Sequence, residues 1–463
     1  MSFMRLEHML APERNDVAAH LALGWLLLAT AAVAASSLFA ILIVMARVPG
    51  LGSLFPGTEF YRVALTLHVD LSQWVWFMAF AGTLWSLGAR RAPGAWQWTA
   101  LALGALGALL MALSPVLGAI RPLMSNYIPV LDSPWFLAGL GIYGIAVLMV
   151  ALAVAREGAN VDLRRVANAN SLPDVLRLGL FLAAAVVLTA LAVLLHAYAT
   201  MPAALSGHAF FEALFWGAGH VWQFCLTTLM LLAWLGLCAP RLALPSGRTL
   251  KFLLLLGALP ALAAPLLLAL LPPLPLSAAT TEYFSAFTHL MQWTSWEVPL
   301  FLGSLLLILH WRQRIVPATG LSLSMLLLVS GIVLGAVIDG QTTLVTAHYH
   351  GTIGAVTLAF MGLTYGVLPA LGYAMPPRSR IDLQLRLYGY GILLMMSGLA
   401  GAGLMGAPRK MAGNVGVEFS IETVSRMVLG LGGSLATIGI LMFLVLVLRH
   451  LWPAFSPRAV RHG

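Results

Sequence analysis

The sequence predicts an all-α, polytopic membrane protein, a single membrane domain over 1–463 with twelve transmembrane helices. Three observations predict it. Hydrophobic residues make up 60% of the 463 and charged residues only 9%, a composition outside the soluble range. Apolar runs long enough to cross a bilayer recur along the whole chain, separated by short segments rich in Pro, Gly and Arg. The basic residues alternate in abundance from one loop to the next, as they do when successive loops face opposite sides of a membrane.

Taken in order, the apolar runs predict helices at 20–46, 61–88, 96–119, 134–155, 174–201, 208–238, 249–271, 282–310, 316–338, 343–372, 385–408 and 423–449. Loops after even-numbered helices hold most of the Lys and Arg, among them Arg90, Arg91, Arg164, Arg165, Arg378 and Arg380. The positive-inside rule therefore puts both termini in the cytoplasm, and the polar start MSFMRLEHMLAPERND has no cleavable-signal pattern. The expected location is a bacterial inner membrane. The net charge of +9 does not indicate nucleic acid, because it comes mainly from arginines in short loops. Cys225 and Cys238 fall in one apolar run, so there is no disulfide framework, zinc motif or CxxCH haem-attachment site.

Helix 10, TLVTAHYHGTIGAVTLAFMGLTYGVLPALG, contains His348 and His350. Residues two apart on a helix point about 200° apart, so the two imidazoles face opposite flanks. Each flank could hold a haem iron; the plainer reading is two histidines hydrogen-bonded to neighbouring helices. The topology favours the metal reading. His68 on helix 2, His220 on helix 6, His289 on helix 8 and His348/His350 on helix 10 all lie on helices running from outside to inside. At 1.5 Å per residue they fall roughly 8–18 Å below the outer boundary. Five imidazoles in one layer make a candidate metal layer.

These residues resemble subunit I of the haem-copper oxidase superfamily, and the resemblance covers essentially the whole chain. It implies the twelve-helix subunit I architecture, a low-spin haem between His68 and His350, and a high-spin haem on His348. LFWGAGHVWQF is similar to the segment carrying the first copper-B histidine, which gives His220 to a non-haem metal, copper or iron. GLMGAPRKMAG resembles the family's propionate-binding loop, with Arg409 and Lys410 as the cations. The resemblance further implies a redox enzyme with a small gaseous substrate, NO or O2. An outside donor subunit of cupredoxin-like or cytochrome c type is implied as well.

The sequence departs from the family in two places. Where the family has adjacent histidines on helix 8, this chain has Thr288-His289, so His289 is the candidate ligand. Gln223, Gln292 and Glu297 stand on faces where they could complete the site, and the metal could be copper, iron or absent. The position of the family's helix-6 tyrosine is Phe224, and its other tyrosine location is Gln292. Reducing O2 to water needs four electrons and four protons, delivered quickly to split O–O, and that tyrosine supplies one of each. NO reduction needs two of each and breaks no O–O bond, so the absence favours a nitric oxide reductase over an oxygen reductase. Tyr283 is the candidate stand-in on the oxygen reading.

Four carboxylates lie within or at the ends of spans: Asp70, Glu212, Glu297 and Asp339. Ionised and unpaired they would be costly there. Glu212, two turns outward of His220, is a candidate outer proton relay; Glu297, two turns inward of His289, is a candidate relay from the cytoplasm or a group near the metal. Asp70 faces away from the His68 haem, and Asp339 reads as a loop acid. His196, His208 and His310 read as interfacial. Helix 8 lacks a lysine, against the best-known proton channel of the family. A haem-bearing sensor or assembly partner is a further reading, and a twelve-helix transporter, which would purify without a Soret band, is another.

Overall fold

The computed structural model describes residues 5–10, 16–45, 57–89, 91–159, 171–270, 290–291, 294–409 and 421–452. The described residues form a bundle of twelve long helices: α1 (Asp16–Met45), α2, α3 (Ala95–Leu113), α4 (Pro134–Ala159), α5 (Leu172–Ala199), α6 (Gly207–Leu237), α7 (Gly247–Ala269), α8 (Glu297–Arg312), α9 (Thr319–Ala336), α10 (Thr343–Ala370), α11 (Arg378–Leu404) and α12 (Ile421–Leu451). The second helix, α2, has three consecutive parts: Gly57–Val69, a π-helical Asp70–Val75 and Trp76–Gly88. Eleven of the twelve are long and apolar enough to cross a membrane. The exception, α8, has 16 residues; of its predicted span, 282–289 and 292–293 lie outside the described residues. The protein is an all-α, multi-pass membrane protein, as its composition predicts.

Helix ends follow local chemistry. Ser171 caps α5 through the Asp174 amide, Ser246 caps α7 through Thr249, and Thr342 caps α10 through Leu344. Each side-chain oxygen satisfies an amide that the first turn leaves without a helical partner. At the near end of the bundle, Arg5 runs onto the C-terminus of α6. Its amide donates to Gly236 O at 2.8 Å, and its guanidinium donates to the carbonyls of Ala239 at 2.8 Å, Pro240 at 2.7 Å and Leu242. A cation there suits the negative end of the helix dipole.

Close helix packing at the centre depends on small residues and satisfied polar groups. Trp234 Nε1 on α6 donates to Ser324 Oγ on α9 at 2.9 Å, and that hydroxyl donates to Ala355 O on α10 at 2.7 Å. Tyr365 on α10 donates to Gln384 Oε1 on α11 at 2.9 Å, and Gln384 Nε2 donates to Gly439 O on α12 at 3.1 Å. Each chain of bonds ties three helices together through paired polar atoms.

Two features were not expected from the sequence. The π-helical turn begins two residues after His68, at Asp70; Ser72 Oγ donates to His68 O at 2.6 Å, and Tyr143 from α4 donates to Val75 O at 2.9 Å. Such turns free backbone carbonyls, and an outside hydroxyl answers this one. The second is a hairpin between α3 and α4, where β1 (Pro122–Leu123) pairs antiparallel with β2 (Val130–Leu131), Pro122 opposite Leu131. Its tip, Asn126 and Tyr127, turns into the bundle. His310 is also a correction: it is 1% exposed rather than interfacial, because it lies on the inward side of the last turn of α8. His196 and His208 are exposed at helix ends, and Asp339 is exposed in the loop after α9.

Candidate haem and metal site

Four of the five predicted ligand histidines are described: His68 on α2, His220 on α6, and His348 and His350 on α10. Counted from the starts of their helices, they lie roughly 8–20 Å down the axes at 1.5 Å per residue. Those starts share the face of the bundle opposite the N-terminus, the outer face on the charge reading. His289, Gln292 and Tyr283 lie outside the described residues, as does Lys410.

Each of the four imidazoles is held at one nitrogen. His350 Nδ1 donates to Thr346 O at 2.7 Å, one turn back on its own helix, and His220 Nδ1 donates to Trp216 O at 2.8 Å in the same way. His348 Nδ1 crosses to α9 and donates to Gly331 O at 2.7 Å. A Cβ at Gly335 would lie 2.6 Å from that Nδ1, so α9 uses glycine to let the ring in. His68 Nδ1 donates to Ser36 O on α1 at 3.0 Å, and Ser36 Oγ returns a bond to His68 O at 2.9 Å. A donating Nδ1–H fixes the tautomer and leaves the Nε2 lone pair for a metal. No described residue hydrogen-bonds any of the four Nε2 atoms.

A held Nδ1 alone does not mark a ligand, since His310 and His450 are held likewise by Leu306 O at 2.8 Å and Leu446 O at 2.7 Å. Exposure sets His68, His348 and His350 apart from His310 but not from His450, which is also partly covered and lies in the last turn of α12, away from the histidine layer; His220 is itself 7% exposed. His310 is sealed in packing, with its Nε2 buried and unpartnered among the described residues. His68, His348 and His350 are only partly covered although they lie deep in a helical bundle, so their rings border interior space. His68 and His350 are close enough to interact electrostatically. Free Nε2 atoms on partly covered rings suit haem ligation.

The outer rim carries the polar residues. Glu212, 7% exposed, accepts the Asn126 amide at Oε2, 2.8 Å, and the Asn126 side-chain amide at Oε1. Asn126 Oδ1 accepts from Arg409 Nη2, and the Arg409 guanidinium lies near the Tyr349 phenol. The Arg409 loop is set by the start of α10: Thr343 N donates to Ala407 O at 2.9 Å, and Arg409 N donates to Gln341 O at 3.2 Å. Arg409 thus stands over the helix that carries His348 and His350, where a cation suits an acidic group at the membrane edge.

Glu297 stands elsewhere. It opens α8 with an exposed side chain, facing a crevice between α7 and α8 lined by Leu253, Leu256, Pro260, Thr294 and Phe301. None of the described histidines lines that crevice. Asp70 is 1% exposed, and neither of its carboxylate oxygens has a hydrogen-bond partner among the described residues. Phe224 is buried in the core one turn inward of His220. Among the described residues no three His, Cys, Asp or Glu side chains gather into a metal cage.

Sequence reasoning missed Asn126 and Tyr127. The Tyr127 ring stands edge-on to His220, with centroids 4.9 Å apart, and edge-on to Trp216 at 5.9 Å. Gln223 Nε2 donates to its hydroxyl at 2.8 Å. Burial pushes its phenol well above the usual tyrosine range. The only sequence signal was the turn-rich stretch Ser125–Pro129 between two short apolar strands, which identifies a hairpin but not its target.

No protein-family model matches this sequence. An uncharacterised protein of Aquifex aeolicus (strain VF5) is 28% identical over 356 residues, covering 75% of this chain and 85% of that protein. An uncharacterised protein of Rickettsia prowazekii (strain Madrid E) is 23% identical over 91% of this chain and 94% of its own length. Among solved structures, a haem-copper terminal oxidase dimer superposes with a TM-score of 0.66, over 96% of this chain and 85% of that one, at 14% identity. The chain has the haem-copper oxidase fold. At that identity the likeness is one of fold, and the chemistry has to be argued from the residues.

Proposed function

We propose that this chain is the haem-bearing subunit of a membrane terminal reductase of the haem-copper type, and that its substrate is nitric oxide, reduced to nitrous oxide. The observation that carries the reading is the set of four imidazoles in the outer part of the bundle, each held at Nδ1 with Nε2 free, on the fold of a haem-copper terminal oxidase. His68 and His350 would hold the low-spin haem and His348 the high-spin haem. His220, with His289, would hold a non-haem metal, copper or iron. When bound, these groups supply the electrons and the two-centre site at which two NO molecules join.

The chain's own residues do the rest. Arg409, with Lys410 beside it in sequence, takes the haem acid groups at the outer edge. Glu212, joined through Asn126 to Arg409, is the acid nearest the outer side of His220 and the candidate proton relay. Glu297 would serve as a cytoplasmic relay through a path running outward along the first half of helix 8 to His289. Electrons would come from a cupredoxin-like or cytochrome c-type subunit docking near the Arg409 loop. The expected setting is a bacterial inner membrane.

Phe224 supports NO over O2, since helix 6 offers no phenol one turn beyond His220. One observation favours the second reading, a divergent oxygen reductase: Tyr127 brings a phenol to the same histidine from another element. The deciding experiment is uptake of NO and O2 by the purified, reduced complex in one electrode chamber. Rapid NO loss with little O2 uptake is expected. Fast O2 uptake would establish the second reading, and no Soret band would defeat both.

A further inference from the structure

The tip of the α3–α4 hairpin is placed with unusual care for a loop. Asn126 is clamped on both sides, by Glu212 of α6 and by Arg409 after α11. That clamp fixes the neighbouring residue, Tyr127, which lies along one face of α6. Its ring passes Trp216, Gly219 and His220 and ends at Gln223. Gly219 is required for this: a Cβ there would sit 2.3 Å from the Tyr127 ring. Tyr127 also lies within electrostatic reach of Tyr349 on α10. The phenol therefore stands against the helix of His220, on a hairpin whose clamp, Arg409, belongs to the loop bonded to the start of the helix of His348.

The hydroxyl is oriented and half used. Its oxygen accepts from Gln223 Nε2 at 2.8 Å, while its own O–H donates to no described residue. The side chain is enclosed by protein yet only partly covered, so it borders interior space as the histidines do. A buried hydroxyl normally finds an acceptor. Here the hydroxyl stands beside His220 and Gln223, and no described residue takes its hydrogen.

We propose that Tyr127 is the hydrogen-bond donor to the small gas molecule held between the His348 and His220 sites, with Gln223 aiming its hydroxyl. The inference rests on the function proposed above and deepens it. A neutral donor fixed in a low-dielectric site favours negative charge on a diatomic ligand as it is reduced. No bond to Tyr127 is made or broken in this role. It applies equally to NO and O2, since both gain charge on the distal atom. Gln223 acts as a positioning residue through the phenol.

The test uses the full haem-loaded chain and carbon monoxide, whose infrared stretch on a reduced haem reports nearby donors. In the wild type the CO band should lie low and move slightly on exchange into D2O. Tyr127→Phe keeps the ring against His220 and removes the hydroxyl; the band should move to higher frequency and lose its D2O sensitivity. Gln223→Leu leaves the phenol in place but unaimed, and should broaden the band. Turnover in Tyr127→Phe should fall about a hundredfold, the cost of losing one such donor. A CO band unchanged in Tyr127→Phe would overturn the proposal while leaving the haem assignment standing. If Tyr127→Phe does not fold, an unchanged, narrow band in Gln223→Leu overturns it instead. A wild type that takes up no haem, or haem without CO, would overturn the proposed function and this inference with it.

Discussion

The outer and inner halves of α2 and α10 are built on opposite plans. In the inner half, Trp76, Phe77 and Phe80 of α2 meet Phe360 of α10 and Phe443 of α12 with ring centroids 4.5 to 6.5 Å apart. All five rings are at most 1% exposed. In the outer half the same two helices present His68, His348 and His350, which are partly covered and bonded at one nitrogen only. Where the chain means only to pack, it fills space with aromatic rings to interior density. Where it leaves His68, His348 and His350 partly covered with one nitrogen free, the arrangement fits the haem groups proposed above rather than packing alone. The contrast lies within single helices, so it cannot come from differences in lipid exposure between them.

The comparison breaks most sharply at the histidines. His350→Ala should abolish the low-spin haem signal outright, and His68→Ala should do the same, read as loss of the reduced-minus-oxidised band. A variant that keeps this band would move the low-spin haem off α10. The inner half should respond in the opposite sense. Phe360→Ala should cost about 3–5 kcal/mol of stability, read by thermal unfolding in detergent, while the folded fraction keeps its haem spectrum. Loss of haem without loss of stability in Phe360→Ala would mean the two halves are not separate in function.

A smaller effect is expected at the rim. Asn126 joins Glu212 and Arg409, so Asn126→Ala leaves both without their bridge. Hydrogen bonds to charged groups are worth about 1.5–3 kcal/mol each. The expected outcome is a hairpin that releases: faster proteolysis between residues 118 and 133, with the low-spin band unchanged. Unchanged protection would show that β1–β2 pairing and the packing of Tyr127 hold the tip without the clamp.

Most of the fold was legible in the sequence because bilayer length and apolar composition constrain it strongly. The span predicted at 208–238 is Gly207–Leu237, and that at 343–372 is Thr343–Ala370. The histidine depths followed from the same count. What was not legible comes from partners far apart in the chain. His348 is held by Gly331, 17 residues away, and His68 by Ser36, 32 away. Asn126 meets Arg409 across 283 residues. Periodicity reports which face of a helix is apolar, not which carbonyl on a neighbour it meets. The π-helical turn was hidden for a related reason: DLSQWV reads as ordinary helix, and its extra residue is stabilised by Ser72 and by Tyr143 from another helix.

The smallest prediction falls at the boundary between the two halves. Asp70 opens the π-helical turn, between the histidine layer and the aromatic layer, and both of its oxygens are buried without a partner among the described residues. A polar group left so costs about 1–3 kcal/mol, and an apolar residue of similar size removes that cost. Asp70→Leu should therefore raise stability by about that amount, seen as a higher unfolding temperature. Turnover of NO or O2 should fall at the same time, because a carboxyl carried at a stability cost inside a membrane bundle is the usual mark of a functional group. A rise in stability with turnover unchanged would place Asp70 with the packing of the inner half. A fall in stability would mean that the acid has a partner in the assembled protein, and the boundary between the halves would then lie one turn further inward, at Trp74.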